Sequence, residues 1–263
     1  MEILHVNLAT PERATLFPTV AAQLRAVRTI VRLGRGRIVL FCVVDDHVHL
    51  LIFASRELAG RIVRGLVQAW NRLLGTRLGP PFFRRVESRR HLEKLVPYVL
   101  DQTTHHEIRS CPHPALWPGS SFADLIGARR LPGFDRALLD QALPRRSEQR
   151  FYDAIGLAPL SPADDRSLRT AGLDHLVQAT GRVIAQPRLT VRNPTSVRAR
   201  RMLVRIARNL SFSDRQIAAA LECPRRTVSH LGATACLDLP MQRALRLRVA
   251  LDALDLSRDL VPS

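Results

Sequence analysis

The chain has 263 residues, enough to bury one sizeable hydrophobic core or two small ones. Its 40 lysine and arginine residues against 23 aspartate and glutamate residues give a formal net charge of +17, which favours a polyanionic partner and above all nucleic acid. No apolar run reaches the length of a membrane span, and the N-terminus lacks the pattern of a secretory signal. We therefore expect a cytoplasmic protein with no membrane partner.

Strand and helix patterns alternate in the N-terminal part of the chain. Strand patterns cover Met1–Thr10, both halves of Arg37–Ala54, which meet at an Asp45-Asp46 turn, and Pro81–Glu87; amphipathic helical patterns cover Leu16–Leu33 and Arg56–Leu74. The order strand, helix, strand, strand, helix, strand predicts an α+β, ferredoxin-like domain, with helices packed on one face of an antiparallel sheet.

Two histidines stand near the start of the second strand of the hairpin. Because side chains alternate along a strand, His47 and His49 are expected on the same face, with Val48 directed away from them. Two imidazoles that converge in this way form half of a possible metal site. The same pair also occurs as a half-buried, hydrogen-bonded feature without metal, and the pattern alone leaves both interpretations open.

The next helical stretch, Arg89–Ile108, is interrupted by a proline. Pro97 predicts either a kink or a new helix that begins there, in which case Tyr98 would lie in a first turn, where free N–H groups favour a phosphate. Gln102 follows Tyr98 by one helical turn, and its amide oxygen is an acceptable ligand for a hard divalent cation. Without the histidine pair, the sequence around Tyr98 favours a core or interface tyrosine over a nucleophile.

Three helical patterns close the chain. They cover Ser196–Asn209, Ser213–Leu221 with an N-cap candidate at Ser213, and Arg225–Leu231. The short turn before the last one is typical of a helix-turn-helix, although a plain helical hairpin has the same spacing. Packing between the helices is assigned to Ile217, Ala218, Leu221, Val228 and Leu231, and contact with DNA to Arg225, Arg226, Thr227 and Ser229.

The surroundings of the histidine pair resemble those in the single-tyrosine HUH nucleases, and more narrowly in small bacterial transposases, including the REP-associated tyrosine transposases. The resemblance depends on HVHLLI in the second strand of a hairpin, the flanking amphipathic helices, a basic strand and the helix that carries Tyr98. The segment WPGSSFADLIG, Trp117–Gly127, is also similar to a W-x-S-S-Y-type segment of that family. The resemblance covers about Met1–Gly127.

The resemblance implies a reaction on single-stranded or hairpin DNA. His47 and His49 would bind Mg²⁺ or Mn²⁺ with Gln102 as the third protein ligand. Tyr98 would attack a backbone phosphorus, form a 5′-phosphotyrosine link and release a 3′-hydroxyl that can later reverse the step. Asp45-Asp46 stands where the family commonly has Pro-Asn.

The predicted organisation has three parts. Residues 1–127 are assigned to the HUH domain, 128–194 to a proline-punctuated, helical connecting region, and 195–263 to a helix-turn-helix domain that would bind duplex DNA. Further DNA contacts in the first part are assigned to Arg61, Arg64, Arg84 and Arg85. A non-cleaving DNA-binding regulator and a metal-dependent hydrolase of small molecules remain alternatives, and the sequence does not distinguish a monomer from a homodimer.

Overall fold

A four-stranded antiparallel sheet and many helices make the chain an α+β protein. The computed structural model describes residues 1–11, 14–44, 46–74, 77–106, 113–143, 148–186, 188–233 and 238–256. The chain divides into two compact units: a first unit of residues 1–126 and 133–159, and a second unit of residues 127–132 and 160–263. No helix in the described ranges is both long and apolar enough to cross a bilayer.

The first unit is built on the sheet. Its leading elements are β1 (Glu2–Ala9), α1 (Val20–Gly34), β2 (Ile38–Val43), β3 (His47–Ala54), α2 (Arg56–Leu74) and β4 (Phe82–Arg85). The strands lie in the order β2-β3-β1-β4, and all neighbouring strands are antiparallel. Helix α1 begins later than the pattern from Leu16 predicts, because Thr19 is extended and its side chain caps the helix by accepting the N–H of Ala22 at 3.1 Å.

The two faces of β1 differ in exposure. Leu4, Val6 and Leu8 are fully buried on one face, whereas His5 and Asn7 are only partly buried on the other. In contrast, every residue of β3 is buried. The face of the sheet that carries His5 and Asn7 is therefore covered over β3 and partly exposed to solvent over β1.

Helix α3 (Arg89–Leu100) runs unbroken through Pro97. The side chain of Ser88 caps it by accepting the N–H of His91 at 3.1 Å, so the helix begins well before the proline and no new helix begins at Pro97. The expectation that Tyr98 lies in a first turn is therefore wrong, since Tyr98 lies in the last turn of α3. The chain departs from regular α3 geometry at Asp101, and the short helix α4 (Gln102–His105) follows.

The remaining elements of the first unit are short. They are a 3₁₀ turn (Pro114–Leu116), α5 (Phe122–Leu125), α6 (Ala137–Ala142) and α7 (Glu148–Asp153). Their packing includes an aromatic group in which the ring of Phe122 lies 5.5 Å from that of Tyr152.

The segment Trp117–Ser121 closes the outer edge of β2. The N–H of Val43 donates to the carbonyl of Gly119 at 3.0 Å, and the N–H of Ser121 donates to the carbonyl of Phe41 at 2.9 Å. The indole N–H of Trp117 adds a bond to the carbonyl of Val43 at 2.6 Å. Backbone groups that would otherwise be exposed at a sheet edge are thereby paired.

Gly119 is expected to tolerate no larger residue. A Cβ at this position would lie 2.3 Å from the carbonyl oxygen of Val43 and 2.9 Å from Nε1 of Trp117. We expect Gly119→Ala to lower the free energy of unfolding, measured in urea, by about 2–3 kcal/mol because the edge contact must move apart. The matched control is Gly60→Ala within α2, where a Cβ meets nothing within 4 Å. This change should raise stability by about 0.5–1 kcal/mol; similar effects of the two substitutions would contradict the close approach at Gly119.

The second unit is helical in its described part. Its helices are α8 (Asp165–Ala171), α9 (Leu173–Val183), α10 (Pro194–Asn209), α11 (Asp214–Ala220), α12 (Arg225–Ala233) and α13 (Leu239–Leu256). One hydrophobic core joins them, with members from Leu168 and Leu176 to Leu203, Ile217, Val228 and Leu245. The helices before residue 194 therefore share a core with those after it.

The sequence correctly predicts the N-cap of α11 and the residues buried where α11 packs against α12. Ser213 caps α11 in a capping box with Gln216, whose Oε1 accepts the N–H of Ser213 at 2.8 Å. The five side chains assigned to packing, Ile217, Ala218, Leu221, Val228 and Leu231, are all buried.

Candidate metal and tyrosine site

His47 and His49 converge as the alternation of β3 predicts. Their Nε2 atoms are 2.8 Å apart, and their rings are nearly perpendicular, with centroids 4.6 Å apart. Only 4% of His47 and 1% of His49 is exposed. The pair is thus held rigidly inside the fold with two ring nitrogens directed at one point.

The other ring nitrogen of each histidine also has a partner. Nδ1 of His47 lies 2.5 Å from Oδ1 of Asp46, and Nδ1 of His49 lies 3.0 Å from Nε2 of His5 on β1. His5 reaches His49 because Asn7, two residues along β1, is paired with His49 in the sheet. Histidines that bind metal generally donate their second N–H to a carboxylate or another acceptor, and Asp46 and His5 are suited to that role.

Two proton arrangements fit this chain of rings. In one, His5 donates to His49, Nε2–H of His49 donates to Nε2 of His47, and Nδ1–H of His47 donates to Asp46. In the other, Nδ1–H of His49 donates to His5, so that both converging Nε2 atoms offer lone pairs to a shared cation. The second arrangement needs only ring protons to change position, because all three imidazoles stay neutral in both.

Burial keeps the imidazoles of His49 and His5 neutral. It lowers the pKa of His49 to about 3, helped by the nearby His47 and His5 and partly opposed by the side chain of Gln102. Burial also lowers the pKa of His5 to about 4, with smaller contributions from His91 and Arg84. Neutral imidazole is the form that binds a metal, so His49 is ready to bind one at neutral pH.

Gln102 connects the histidines to Tyr98. Its side chain is only 1% exposed, its amide nitrogen donates to the backbone carbonyl of Tyr98 at 2.8 Å, and its amide group acts to raise the pKa of the neighbouring His49. The amide oxygen is therefore the atom available to the histidine side of the site. The spacing of one turn between Tyr98 and Gln102 is kept even though the helix is interrupted between them.

Tyr98 lies over the histidines and reaches solvent. Its ring centroid is 5.4 Å from that of His49 and 6.4 Å from that of His5, and 43% of the residue is exposed. The ring of His105 lies 5.6 Å from that of Tyr98. A hydroxyl in this position is accessible to a macromolecular substrate.

A second set of possible ligands overlaps the first. Among the described residues, Asp46, His47 and His106 bring ligand atoms within 4.8 Å of one another, which makes them a possible metal-binding group. The ring of His106 lies 4.9 Å from that of His47. Asp45, the other half of the predicted turn, lies outside the described residues.

Sequence reasoning missed His5 and did not select Asp46 or His106. The alternation of β1 indicates that His5 and Asn7 share a face, but the sequence does not show which residues of β3 lie beside them. Asp46 adjoins His47 in the chain, and its contact with Nδ1 of that histidine appears only in the structure.

The residues predicted to bind DNA lie on several surfaces. Arg61 and Arg64 are exposed on α2, where Arg61 pairs with Glu57 at 3.0 Å. Arg84 and Arg85 point to opposite faces of β4, and Arg84 is paired in register with His5. On α12, Arg225, Arg226 and Ser229 are exposed and Thr227 is partly exposed.

A third buried histidine, His113, should make the first unit sensitive to acid. Burial lowers the pKa of His113 from 6.5 to about 4, so the folded state keeps it neutral while the unfolded chain binds a proton. This contribution to stability is complete above pH 6.5 and is lost as the pH falls towards 4.

We expect the free energy of unfolding to fall by about 2–3 kcal/mol over that interval through His113 alone. His113→Asn retains an acceptor for the N–H of Ala115, which Nδ1 of His113 accepts at 3.1 Å, but removes the titrating group. Urea titrations at several pH values should therefore show a shallower decline for His113→Asn, and an unchanged decline would contradict the assignment.

The four residues assigned to the reaction, His47, His49, Tyr98 and Gln102, lie together in the first unit. Asp46 and His5 surround them with hydrogen-bond partners. Comparison of the sequence with protein-family models and with curated proteins finds no match.

Proposed function

We propose that the chain is a transposase-like endonuclease and strand transferase that acts on single-stranded DNA through a 5′-phosphotyrosine intermediate. The observation that carries the proposal is the convergence of Nε2 of His47 and His49 at 2.8 Å, with the ring of Tyr98 5.4 Å from His49. A nucleophile beside a neutral imidazole pair suits metal-assisted phosphoryl transfer. The net charge of +17 agrees with a nucleic acid substrate.

The arrangement of the sheet supports the proposal. Elements β1 to β4 with α1 and α2 follow the order strand, helix, strand, strand, helix, strand, and the strands lie in the order β2-β3-β1-β4. This is compatible with a ferredoxin-like fold, the fold that the resemblance to HUH nucleases implies.

His47, His49 and the amide oxygen of Gln102 would hold Mg²⁺ or Mn²⁺. Two imidazole nitrogens and one amide oxygen leave room for phosphate oxygens and water, and the nitrogen ligands favour Mn²⁺ over Mg²⁺ in affinity. When bound, the cation polarises the scissile phosphate and stabilises the leaving oxygen. Asp46 and His5 keep the two imidazoles oriented through their other ring nitrogens.

Tyr98 would carry the covalent step. Its phenol oxygen forms a bond to phosphorus while the bond from phosphorus to the 3′-oxygen breaks, and the departing oxygen takes a proton to become a 3′-hydroxyl. The phenol gives up its proton during attack, and His105, whose ring lies 5.6 Å from that of Tyr98, is the neighbouring base. Because the phosphodiester energy is conserved in the tyrosine link, a 3′-hydroxyl can reverse the step and join strands.

Helices α11 and α12 of the second unit would form a helix-turn-helix that contacts duplex DNA. The exposed side chains near the start of α12 are those that would enter the major groove or touch its phosphates: Arg225, Arg226, Thr227 and Ser229. Such contacts would direct the enzyme to particular sites without taking part in cleavage.

The proposal is tested by trapping the covalent product. The purified protein is incubated with labelled single-stranded and hairpin oligonucleotides in Mn²⁺, in Mg²⁺ or in EDTA, and the products are separated on a denaturing gel. A labelled band at the mass of protein plus DNA, present with either metal and lost in EDTA, is the expected result. Cleavage that leaves no DNA on the protein would contradict a tyrosine nucleophile.

The second candidate is a DNA-binding regulator that does not cleave. The exposed arginines at the start of α12 favour it independently of the histidine site. It predicts metal-independent binding of duplex DNA and no covalent product with any oligonucleotide.

A further inference from the structure

We infer that the open part of the sheet beside the histidines binds a DNA single strand, with Phe82 stacked on a nucleobase and Arg84 on the backbone. The inference rests on the proposed function, since it places this base next to the phosphate held at His47 and His49. It assigns a binding subsite to β4, which takes no part in the metal and tyrosine site.

The register of the sheet places these residues in rows that lead to the histidines. Phe82 is paired with Asn7, and Asn7 is paired with His49, so the three lie side by side across β4, β1 and β3. Arg84 is paired in the same way with His5, on the same face. Neighbouring strands are about 4.8 Å apart, which puts the backbone of Phe82 roughly 10 Å from that of His49.

This part of the sheet is open to solvent. Phe82 is 64% exposed, and Phe82 and Tyr98 are the two aromatic residues among the exposed large hydrophobic side chains of the described ranges. Both lie on the face that carries the histidines. His5 and Asn7, on the same face, are partly exposed.

Stacked aromatic rings between basic side chains are the usual means of binding a single strand without reading its sequence. Phe82 offers a ring to any base, and Arg84 offers a guanidinium to the adjoining phosphate. A second copy of the chain is a poorer occupant of this edge strand, because Arg84 and Arg85 of one copy would repel those of the other.

A tryptophan at position 82 would report stacking locally. The probe is an oligothymidylate of about 20 nucleotides in EDTA, compared with an abasic oligonucleotide of the same length. Of the two native tryptophans, Trp70 is fully buried and Trp117 is partly exposed, so the emission of the wild-type protein is subtracted. Leu73→Trp on α2, where Leu73 is 54% exposed, serves as the matched control.

Oligothymidylate is expected to quench the emission of Phe82→Trp strongly, whereas the abasic strand and the Leu73→Trp control should give little quenching. Phe82→Ala should weaken binding of oligothymidylate about tenfold relative to Phe82→Trp. Emission that responds to protein concentration but not to oligothymidylate would place a second copy at β4 and overturn the inference.

Substitution of the two arginines of β4 distinguishes a direct contact with DNA from an effect of the overall charge. In the Phe82→Trp background, Arg84→Ala and Arg85→Ala remove the same charge from opposite faces of one strand. Arg84→Ala should reduce the dependence of log K on log salt by about 1, and Arg85→Ala by clearly less. Equal effects of the two substitutions on the salt dependence would show that Arg84 does not contact DNA in the subsite.

The outcomes for the inference and for the proposed function can be told apart. Quenching at position 82 without any covalent adduct would support the binding subsite at β4 and contradict the proposed nuclease activity. If the covalent adduct forms but tryptophan at position 82 shows no quenching, the proposed nuclease activity is supported and the binding subsite at β4 is contradicted.

Discussion

Tyr98→Phe is expected to abolish the covalent protein–DNA adduct, with a loss of at least about a thousandfold in the rate of its formation. The substitution removes only the attacking oxygen. The ring would keep its place against His49 and His5, and the bond from Gln102 would remain because it is made to the backbone of residue 98. Binding of the oligonucleotide, measured by fluorescence anisotropy, should change little.

Tyr152→Phe is the matched control, because the chain has two tyrosines. Tyr152 is buried in the first unit beside Phe122 and His113, away from the histidine pair. This variant should form adduct at the rate of the wild type. Loss of adduct in Tyr152→Phe with activity kept in Tyr98→Phe would show that the nucleophile has been assigned to the wrong residue.

His49→Ala is expected to weaken Mn²⁺ binding by more than about 100-fold in isothermal titration calorimetry, and to abolish the adduct with it. The change removes one of two converging nitrogen ligands and leaves His5 without its partner at the site. Asp46→Asn, which keeps both ligands but replaces the carboxylate beside Nδ1 of His47, should weaken binding by about 10–100-fold. His230→Ala, on the exposed side of α12 in the second unit, should leave Mn²⁺ binding unchanged.

The same titrations decide between the two overlapping ligand sets. If the cation is held by His47, His49 and Gln102, Gln102→Ala should weaken binding strongly and His106→Ala only slightly. The opposite result would favour the group of Asp46, His47 and His106. His49→Ala would then have its effect through the orientation of His47.

The parts of the site that sequence reasoning could predict are those set by local geometry. Alternation along β3 predicts that His47 and His49 share a face, and the spacing of one helical turn predicts that Gln102 lies next to Tyr98. Both follow from backbone geometry over a few residues. The α+β class and the order of β1 to β4 also follow, because each element has its own periodic pattern.

The remaining parts depend on contacts between distant residues. The position of His5 beside His49 is fixed by the register of β1 on β3, across 44 positions of chain. Pro97 shows a different limit: its residue type indicates a helix boundary, yet capping by Ser88 starts α3 earlier and the helix continues through the proline. Arg84 and Arg85 are both predicted to contact DNA, yet the alternation of side chains along β4 places them on opposite faces of the sheet.

In the proposed site, Gln102 would link the metal and the nucleophile mechanically. One end of this amide holds the backbone of Tyr98 and the other faces His49, so any movement of its oxygen is passed to the last turn of α3. A larger ion such as Ca²⁺, with ligand distances of about 2.3–2.6 Å against about 2.0–2.1 Å for Mg²⁺, would draw that turn into a different position. In the proposed site, tight binding of an ion and productive alignment of the tyrosine would therefore be separate properties, and the second would be set by ionic radius.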